Sequence, residues 1–206
     1  MSDWKVEATK ILTAGEIAQI LADLKRRARR SANSRMNLII FRLATCCGLR
    51  VSELIGLRMG DVRVGMAKPY IHVRAEVAKR NKPRRVPLWW DQGTLDDLTA
   101  WRDERVKAGA GPAGPFISSR SGRPLDRQNA RHRFKVACRC LGVERVRDLT
   151  VHHGRHSFVT HALRGGRSLA EVRDSAGHAN IATTSLYAHV AQDDDGRVGD
   201  LFAFGA

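Results

Sequence analysis

Four separated segments of the sequence carry the side chains that metal-free phosphoryl transfer would need. They are Gly48–Leu54, the basic stretch Lys79–Leu88, His152–His156 and Gly177–His189. Fixed guanidinium groups can neutralise the charge that builds on the non-bridging oxygens of a phosphodiester. An attacking oxygen must be delivered in line, and a proton must reach the leaving 5′ oxygen. Two arginines, a lysine, two histidines and a tyrosine would meet these demands, and a phosphotyrosine would allow religation without ATP.

The order of these elements resembles the tyrosine recombinases and integrases. The shared elements, in chain order, are Arg50-x-x-Glu53, a hairpin lysine, His152-x-x-Arg155, Gly177-His178 and Tyr187. The spacing from His178 to Tyr187 also matches the family's last motif. Each residue alone has an ordinary explanation, such as an ion pair between Arg50 and Glu53 one helical turn apart. The presence of all these residues in the family's order favours membership of the family over the separate explanations.

The resemblance implies a role for each of these residues. Arg50 and Arg155 would clamp the scissile phosphate, and Tyr187 would attack it to leave a 3′-phosphotyrosyl intermediate. His178 would donate to a non-bridging oxygen. His152 would either hydrogen-bond the phosphate or accept the tyrosine proton. No metal ion, ATP or other cofactor is implied.

The basic stretch and the acidic position are assigned in the same way. Lys79 would protonate the 5′ leaving oxygen as general acid, with Lys82 on the same turn as the alternative. Glu53 would support the site by orienting an arginine or histidine. The cations of the stretch that are expected to bind DNA are Arg80, Lys82, Arg84 and Arg85. Where the family motif usually has leucine this chain has Gly154, and we expect the change to lose a packing contact of ~1–3 kcal/mol if the position is buried.

Composition limits the partner and the compartment. A formal net charge of +15 favours a polyanion, and double-stranded DNA is the expected partner, although a basic ribosome-associated protein has a similar balance. The four cysteines form no C-x-x-C pair and are predicted to be core thiols in a reducing cytoplasm. The sequence has no signal peptide at Met1–Lys10 and no apolar run of membrane-spanning length, so we expect a cytoplasmic protein with no membrane contact.

Periodicity predicts a mostly α-helical domain with a small antiparallel β-sheet, an α+β fold, and the resemblance implies that this is the catalytic domain of a DNA breaking-rejoining enzyme. Thr13 and Glu16 have the spacing of a capping box for the first helix. Alternating residues predict two strands of a basic hairpin, Ile71–Val77 and Arg84–Leu88. The other predicted helices are Met36–Cys47 with Ser31–Ser34 as a break before it, one starting at Ser52, one capped by Thr94, one capped by Asp126 that runs to Gly142, His153–Arg164, Ser168–Ser175 and Ile181–Val190.

The predicted organisation is an N-terminal extension (1–11), a catalytic domain (12–190) and a C-terminal tail (191–206). Family members usually carry an N-terminal DNA-gripping domain, so this chain is expected to be a piece of a longer protein or a short member similar to the fimbrial inversion recombinases. The resemblance implies a homo-oligomer in which four protomers act on two duplexes. The apolar segment Leu201–Phe204 would either dock into a neighbouring protomer or fold back on its own core.

Three rival hypotheses stay open at this stage. A type IB topoisomerase uses a similar residue set to relax supercoils without exchanging strands. A non-catalytic DNA-binding protein could retain the fold. His152 and His156 are spaced i, i+4 and could bind zinc on a helix, but the glutamate that the metalloprotease pattern needs is replaced by His153.

Overall fold

Nine α-helices and one small sheet form in residues 8–119 and 121–187, which the computed structural model describes. The helices are α1 (Ala14–Ala28), α2 (Ala32–Phe41), α3 (Val51–Ile55), α4 (Gln92–Lys107), α5 (Arg127–Ala137), α6 (Val143–Asp148), α7 (Val151–Arg164), α8 (Leu169–Ala176) and α9 (Ile181–Ser185). The antiparallel strands are β1 (Val62–Arg63), β2 (Tyr70–Val73) and β3 (Arg84–Pro87), in the order β1-β2-β3. The predicted mainly helical α+β fold is confirmed.

Side-chain caps set where several helices begin. Thr13 and Glu16 form the predicted capping box of α1, and Asp126 caps α5 as expected. Ser31 caps α2 through a hydrogen bond from the Ser34 amide, so the predicted break at Ser31–Ser34 is the first turn of a helix. Asp91, rather than Thr94, caps α4, since its carboxylate accepts the Thr94 amide at 3.0 Å.

A π-helical segment, Arg42–Cys46, interrupts the long helix that the sequence predicts. It buries Arg42, whose guanidinium pairs with Asp91 and Asp97 at 3.2 and 2.8 Å. The chain then turns at Gly48, where φ is +62° and an added Cβ would lie 2.4 Å from the ring of Phe158. Glycine is therefore required at this turn, which leads directly to Arg50.

The basic hairpin is shorter than the alternation of residues suggests. Strand β2 ends at Val73 because Arg74 turns back to Asp61, with Nε to Oδ2 at 2.9 Å, and donates to the carbonyl of Gly56. The segment Ala75–Val77 forms a turn, and a short 3₁₀ helix, Lys79–Asn81, closes the hairpin. Strand β1 was not predicted, because two residues are too few to show alternation.

The remaining differences concern the C-terminal half. The predicted long basic helix stops at Ala137, a 3₁₀ turn follows at Arg139–Leu141, and the unpredicted α6 comes next. Helix α9 ends at Ser185, and Leu186 and Tyr187 form a turn where the sequence predicted helix. Residues 188–190 of that predicted helix, like the tail 191–206, lie outside the described residues.

Three of the four cysteines lie in the core, as the sequence predicts, and the fourth lies at its edge. Cys46, Cys47 and Cys138 are buried and Cys140 is half-buried, and all four are free. No described helix is both long and apolar enough to cross a membrane.

Candidate active site

Arg155 is a buried cation held by main-chain oxygens. It lies on α7, is 4% exposed, and donates from Nη1 to the carbonyl of Gly48 at 2.6 Å and from Nη2 to the carbonyl of Ala176. No carboxylate pairs with it in the described part of the chain. Burial lowers its pKa to about 9, with further lowering by Arg50 and Arg84, so it remains charged at neutral pH. A buried charge without a counter-ion creates a site that favours an anion.

Arg50 approaches Arg155 from the start of α3. Its Nη1 donates to Oε1 of Glu53 at 2.9 Å and its Nη2 to the carbonyl of Gly177 at 3.0 Å. The carbonyls of Ala176 and Gly177 are consecutive, so the two guanidinium groups meet at one turn of the chain. The side chain of Arg50 is 22% exposed, so it can contact a ligand from the solvent side while the buried Arg155 contacts the same ligand from the protein side.

Glu53 joins Arg50 to Arg84 of the hairpin. Its carboxylate, fully buried, accepts two bonds from Arg84 at 2.7 and 2.8 Å, one from Arg50 and the amide of Arg50 at 2.8 Å. Burial alone would raise the pKa of Glu53, but hydrogen bonds and charge from Arg84, and then from Arg50, lower it below its usual value. Glu53 is thus an anion at neutral pH.

Arg84 occupies a different place from the one expected of a DNA contact. Only 7% of its side chain is exposed, and Nε donates to the carbonyl of Ser175 at 2.8 Å while the other nitrogens hold Glu53. Sequence reasoning placed it with Arg80, Lys82 and Arg85, which are exposed. Alternation explains the difference, because residue 84 faces inward on β3 and residue 85 outward, where its guanidinium lies 4.7 Å from the ring centre of Tyr70.

His178 follows a left-handed glycine at the end of α8. Gly177 has φ +65°, and an added Cβ would lie 2.9 Å from Cδ of Arg84, so the close approach requires glycine. Nδ1 of His178 is hydrogen-bonded to the Thr184 hydroxyl at 2.9 Å. Burial lowers the pKa of His178 to about 3, with contributions from Arg155 and other arginines, so the ring is neutral at pH 7.

Tyr187 packs between two of the site's histidines. It is 5% exposed, its hydroxyl is hydrogen-bonded to Nδ1 of His156, and its ring stacks on His178 with ring centres 6.3 Å apart. Burial raises the pKa of Tyr187, and the charge of Arg155 opposes the rise. The tyrosine is therefore protonated at neutral pH.

His152 lies beside this group but faces outward. It is exposed, and its ring centre lies 4.4 Å from that of His156, one turn further along α7. Partial burial lowers its pKa, followed by the charges of Arg155, His153, Arg50 and Lys79. Among the described residues it has no hydrogen bond to Tyr187.

The histidine that hydrogen-bonds the tyrosine hydroxyl, His156, was not among the predicted catalytic residues. His156 was considered only as a zinc ligand with His152. In the described ranges, no group of three His, Cys, Asp or Glu side chains is placed to hold a metal ion. The signal that could have found His156 is its position next to Arg155, on the same short turn of α7.

Two clefts open beside the paired arginines, and Arg50 lines both. The larger, about 780 Å³, lies between the hairpin and the end of α8. Its basic lining residues include Arg50, Lys79, Arg80, Lys82, Arg84 and Arg85. The second, about 540 Å³, is lined by His152 and Arg155 together with the exposed Arg127 and Arg131 of α5. Lys79 and Lys82 both reach the larger cleft, so position alone leaves the choice between them open.

Gly154 lies in a tight contact between α7 and the π-helical segment. The prediction that glycine at this position loses packing is therefore wrong. An added Cβ would lie 2.8 Å from Oγ1 of Thr45 and 3.2 Å from the carbonyl carbon of Ala44. The π-helical segment Arg42–Cys46 therefore lies against α7, where a leucine would not fit. The glycine allows the backbone that carries Gly48 to approach the backbone that carries Arg155.

Solved structures of recombinases share this fold. XerA recombinase superposes with a TM-score of 0.69 at 22% identity, covering 87% of this chain and 58% of the other. XerH bound to difH substrate gives 0.69 at 22% identity, with 89% and 50% covered. The architecture is thus that of the catalytic domain of site-specific recombinases.

Sequence comparison identifies the family. The model described as "Phage integrase family" matches residues 10–194, and the chain belongs to that family. It is 37% identical over 147 residues to tyrosine recombinase XerC of Herpetosiphon aurantiacus, covering 71% of this chain and 45% of the relative. It is 32% identical over 200 residues to tyrosine recombinase XerD of Halalkalibacterium halodurans, covering 96% and 63%. The chain thus spans roughly half the length of these relatives.

Proposed function

We propose that the chain is a tyrosine-type DNA strand transferase, a site-specific recombinase or integrase that cleaves and rejoins DNA through a 3′-phosphotyrosyl intermediate. The proposal includes no metal ion and no ATP. The observation that carries it is the convergence of Arg50 and Arg155 on the consecutive carbonyls of Ala176 and Gly177, with Tyr187 packed beside them.

The arrangement supports a phosphodiester as the ligand. Arg155 supplies a buried cation without a paired carboxylate in the described residues, and Arg50 a partly exposed one. A phosphate that bridges the two would replace the solvent that Arg50 now meets. Neutral His178 can donate from Nε2 to a non-bridging oxygen when the Thr184 hydroxyl donates to its Nδ1.

The reaction then follows from the placement of the remaining groups. Tyr187 attacks phosphorus, a phosphotyrosyl bond forms at the 3′ side, and the bond to the 5′ oxygen breaks. Lys79 gives the 5′ oxygen its proton, and religation reverses each step. Glu53 and Arg84 act behind the site by holding Arg50 and the hairpin in place.

Double-stranded DNA is the proposed partner. Solved structures of the same fold include XerH bound to its difH substrate and the Tn1549 transposon integrase in complex with transposon DNA. In this chain Arg80, Lys82 and Arg85 are exposed at the larger cleft and would bind the phosphate backbone. Such a reaction would take place in the cytoplasm.

A nicked suicide duplex tests the activity, because cleavage next to the nick releases a short strand and traps the covalent adduct. A pool of such duplexes with a randomised sequence serves as the probe. We expect an adduct that resists denaturing electrophoresis and a chelator, and that Tyr187→Phe abolishes. The chain has two tyrosines, so Tyr70→Phe is a matched control that keeps the adduct.

The adduct assay, together with plasmid relaxation and strand exchange, separates the rivals. DNA binding without any adduct would favour a non-catalytic DNA-binding protein and overturn the proposal. Relaxation of a supercoiled plasmid without strand exchange between two duplexes would favour the topoisomerase. A chelator that prevents the adduct would contradict metal independence.

The domain boundaries and assembly are part of the proposal. We assign residues 12–190 to the catalytic domain, 1–11 to an extension and 191–206 to a tail. Four protomers would act on two duplexes, and Leu201–Phe204 would dock into a neighbour. Crosslinking on DNA tests this, since removal of residues 196–206 should prevent assembly, and intact assembly would contradict exchange of the tail.

A further inference from the structure

We propose that His156, rather than His152, accepts the proton of Tyr187 during attack on the phosphate. The inference rests on the proposed function and assigns one further catalytic residue to that reaction. Its basis is the hydrogen bond between Nδ1 of His156 and the Tyr187 hydroxyl.

The geometry connects His156 directly with the reacting oxygen. The two rings lie 5.6 Å apart between centres and are tilted by 31°, with Nδ1 directed at the hydroxyl. His156 follows Arg155 on α7, so the proton acceptor and the phosphate-binding cation are carried by adjacent residues of one rigid element. The helix that holds the attacking oxygen also carries the arginine that binds the phosphate, so the two groups can meet with little reorganisation.

His152 is placed differently. Its ring is exposed and lines the second cleft with Arg50 and Arg155, where it can hydrogen-bond a phosphate oxygen. In the described part of the chain it contacts the ring of His156 and makes no hydrogen bond to Tyr187. The sequence leaves two roles open for His152. We assign phosphate binding to His152 and acceptance of the tyrosine proton to His156.

The protonation states fit this direction of transfer. Burial raises the pKa of Tyr187, so the hydroxyl still carries its proton and needs a base. Burial lowers the pKa of His156 to about 4, so the ring is neutral at pH 7 and Nδ1 can accept when Nε2 carries the hydrogen. The hydroxyl donates, and Nδ1 accepts.

A phosphodiester bound at the site makes His156 a stronger base. The ionisable groups that face His156 are His152, His153 and Arg155 of α7, Lys10 of the 3₁₀ turn Ala8–Lys10, and His178 and Tyr187 at the C-terminal side. Burial is the main cause of the low basicity of His156, and the charges of His152, His153 and Arg155 lower it further. A phosphodiester bound to Arg155 brings a negative charge that offsets this effect, so Nδ1 becomes more basic when the substrate is in place.

The step balances. The O–H bond of Tyr187 breaks, its proton passes to Nδ1 of His156, and the phenolic oxygen bonds to phosphorus. The 5′ oxygen leaves with the proton of Lys79. In religation Lys79 takes the proton of the 5′ hydroxyl, the phosphotyrosyl bond breaks, and the imidazolium of His156 returns its proton to Tyr187.

The decisive variant is His156→Gln, which keeps a hydrogen-bond acceptor but cannot take up a proton near neutral pH. We expect it to bind the nicked duplex as Tyr187→Phe does and to form the adduct about 10²- to 10⁴-fold more slowly than the unmodified chain. His153→Gln is the matched control on the same helix. Since glutamine suits the capping-box position that His153 holds, this control should retain the rate.

A more acidic phenol separates proton transfer from a structural role. In a Tyr70→Phe background only Tyr187 remains, so global incorporation of fluorinated tyrosine changes one residue. A phenol that loses its proton readily depends less on a base. The rate ratio between the chain with His156 and the chain with glutamine should therefore contract with fluorotyrosine. An unchanged ratio would assign His156 to positioning alone and overturn the proposal.

The outcomes distinguish this inference from the function on which it rests. Absence of an adduct from the unmodified chain overturns both. An adduct that forms equally fast in His156→Gln overturns only the role of His156. If His152→Gln slowed adduct formation more than His156→Gln did, and fluorotyrosine relieved that loss of rate, His152 would be the proton acceptor.

Discussion

Arg84 and Glu53 form a two-point ion pair whose oxygen–nitrogen distances are 2.7 and 2.8 Å, with both side chains removed from solvent. The pair connects strand β3 with helix α3, and the bond from Arg84 to the carbonyl of Ser175 extends the connection to α8. The hairpin and the ends of two helices are thus fixed relative to one another at a single buried point.

Arg84→Met should destabilise the protein by about 3 kcal/mol, because it keeps most of the apolar stem but leaves a buried carboxylate short of its main partner. Arg85→Met, on the outer face of the same strand, should cost less than about 1 kcal/mol. Urea unfolding followed by circular dichroism measures both. Equal losses in the two variants would show that the buried pair has no special role.

Gly154→Leu, which introduces the residue usual in the family, should lower the free energy of unfolding by about 2 kcal/mol or more. The side chain would collide with Thr45 and the backbone of Ala44. Gly15→Ala is the contrasting helical glycine, since an added Cβ there meets nothing within 4 Å, and it should stabilise by up to about 1 kcal/mol. A neutral or stabilising Gly154→Leu would contradict the tight contact described for α7.

Lys79→Ala should slow adduct formation far more than Lys82→Ala does. Burial is the main cause of the lowered pKa of His152, but the charge of Lys79 also contributes, so the ammonium group lies within electrostatic range of that ring. A duplex with sulfur at the 5′ bridging position tests the role, because a thiolate leaves without a proton. This substrate should restore cleavage by Lys79→Ala. If it restores only Lys82→Ala, the general acid is Lys82.

Stability should fall as the pH decreases from about 6.5 towards 4. Burial lowers the pKa of His156 to about 4 and that of His178 to about 3, whereas an unfolded imidazole has its ordinary value of 6.5. Between these values the unfolded chain binds more protons, so acid favours unfolding. Denaturant unfolding at about pH 7 and about pH 5 measures the effect.

Comparison with His156→Gln isolates the contribution of that ring. The variant lacks the titrating group, so its stability should depend less on pH over the same interval. Identical pH dependence in both proteins would show that His156 is not kept neutral by the fold.

The sequence allowed the fold class, most helices and the chemical types at the site to be predicted, because caps and periodicity are local signals. Thr13 and Asp126 each cap the helix that they were predicted to cap. Features that depend on tertiary contacts were not predictable. The end of β2 is set by Arg74 turning to Asp61, and the π-helical segment accompanies the burial of Arg42 against two aspartates of distant sequence.

The same limit applies to the site. The order of the motifs predicted which side chains would bind the phosphate. It did not predict which groups hold those side chains in place. In the sequence Arg84 looks like one more surface cation, but the alternation of side chains along β3 directs it inward to Glu53. The contact of His156 with Tyr187 joins two segments that no local pattern links.

The support of Arg155 by the carbonyls of Gly48 and Ala176 has a consequence for how the site can change over generations. Every amino acid has a carbonyl, so exchanging a side chain at position 176 leaves its oxygen in place, and only a shift of the backbone removes it. The anchoring of this cation is therefore inherited with the path of the chain, and a search for a co-varying acidic partner would overlook it.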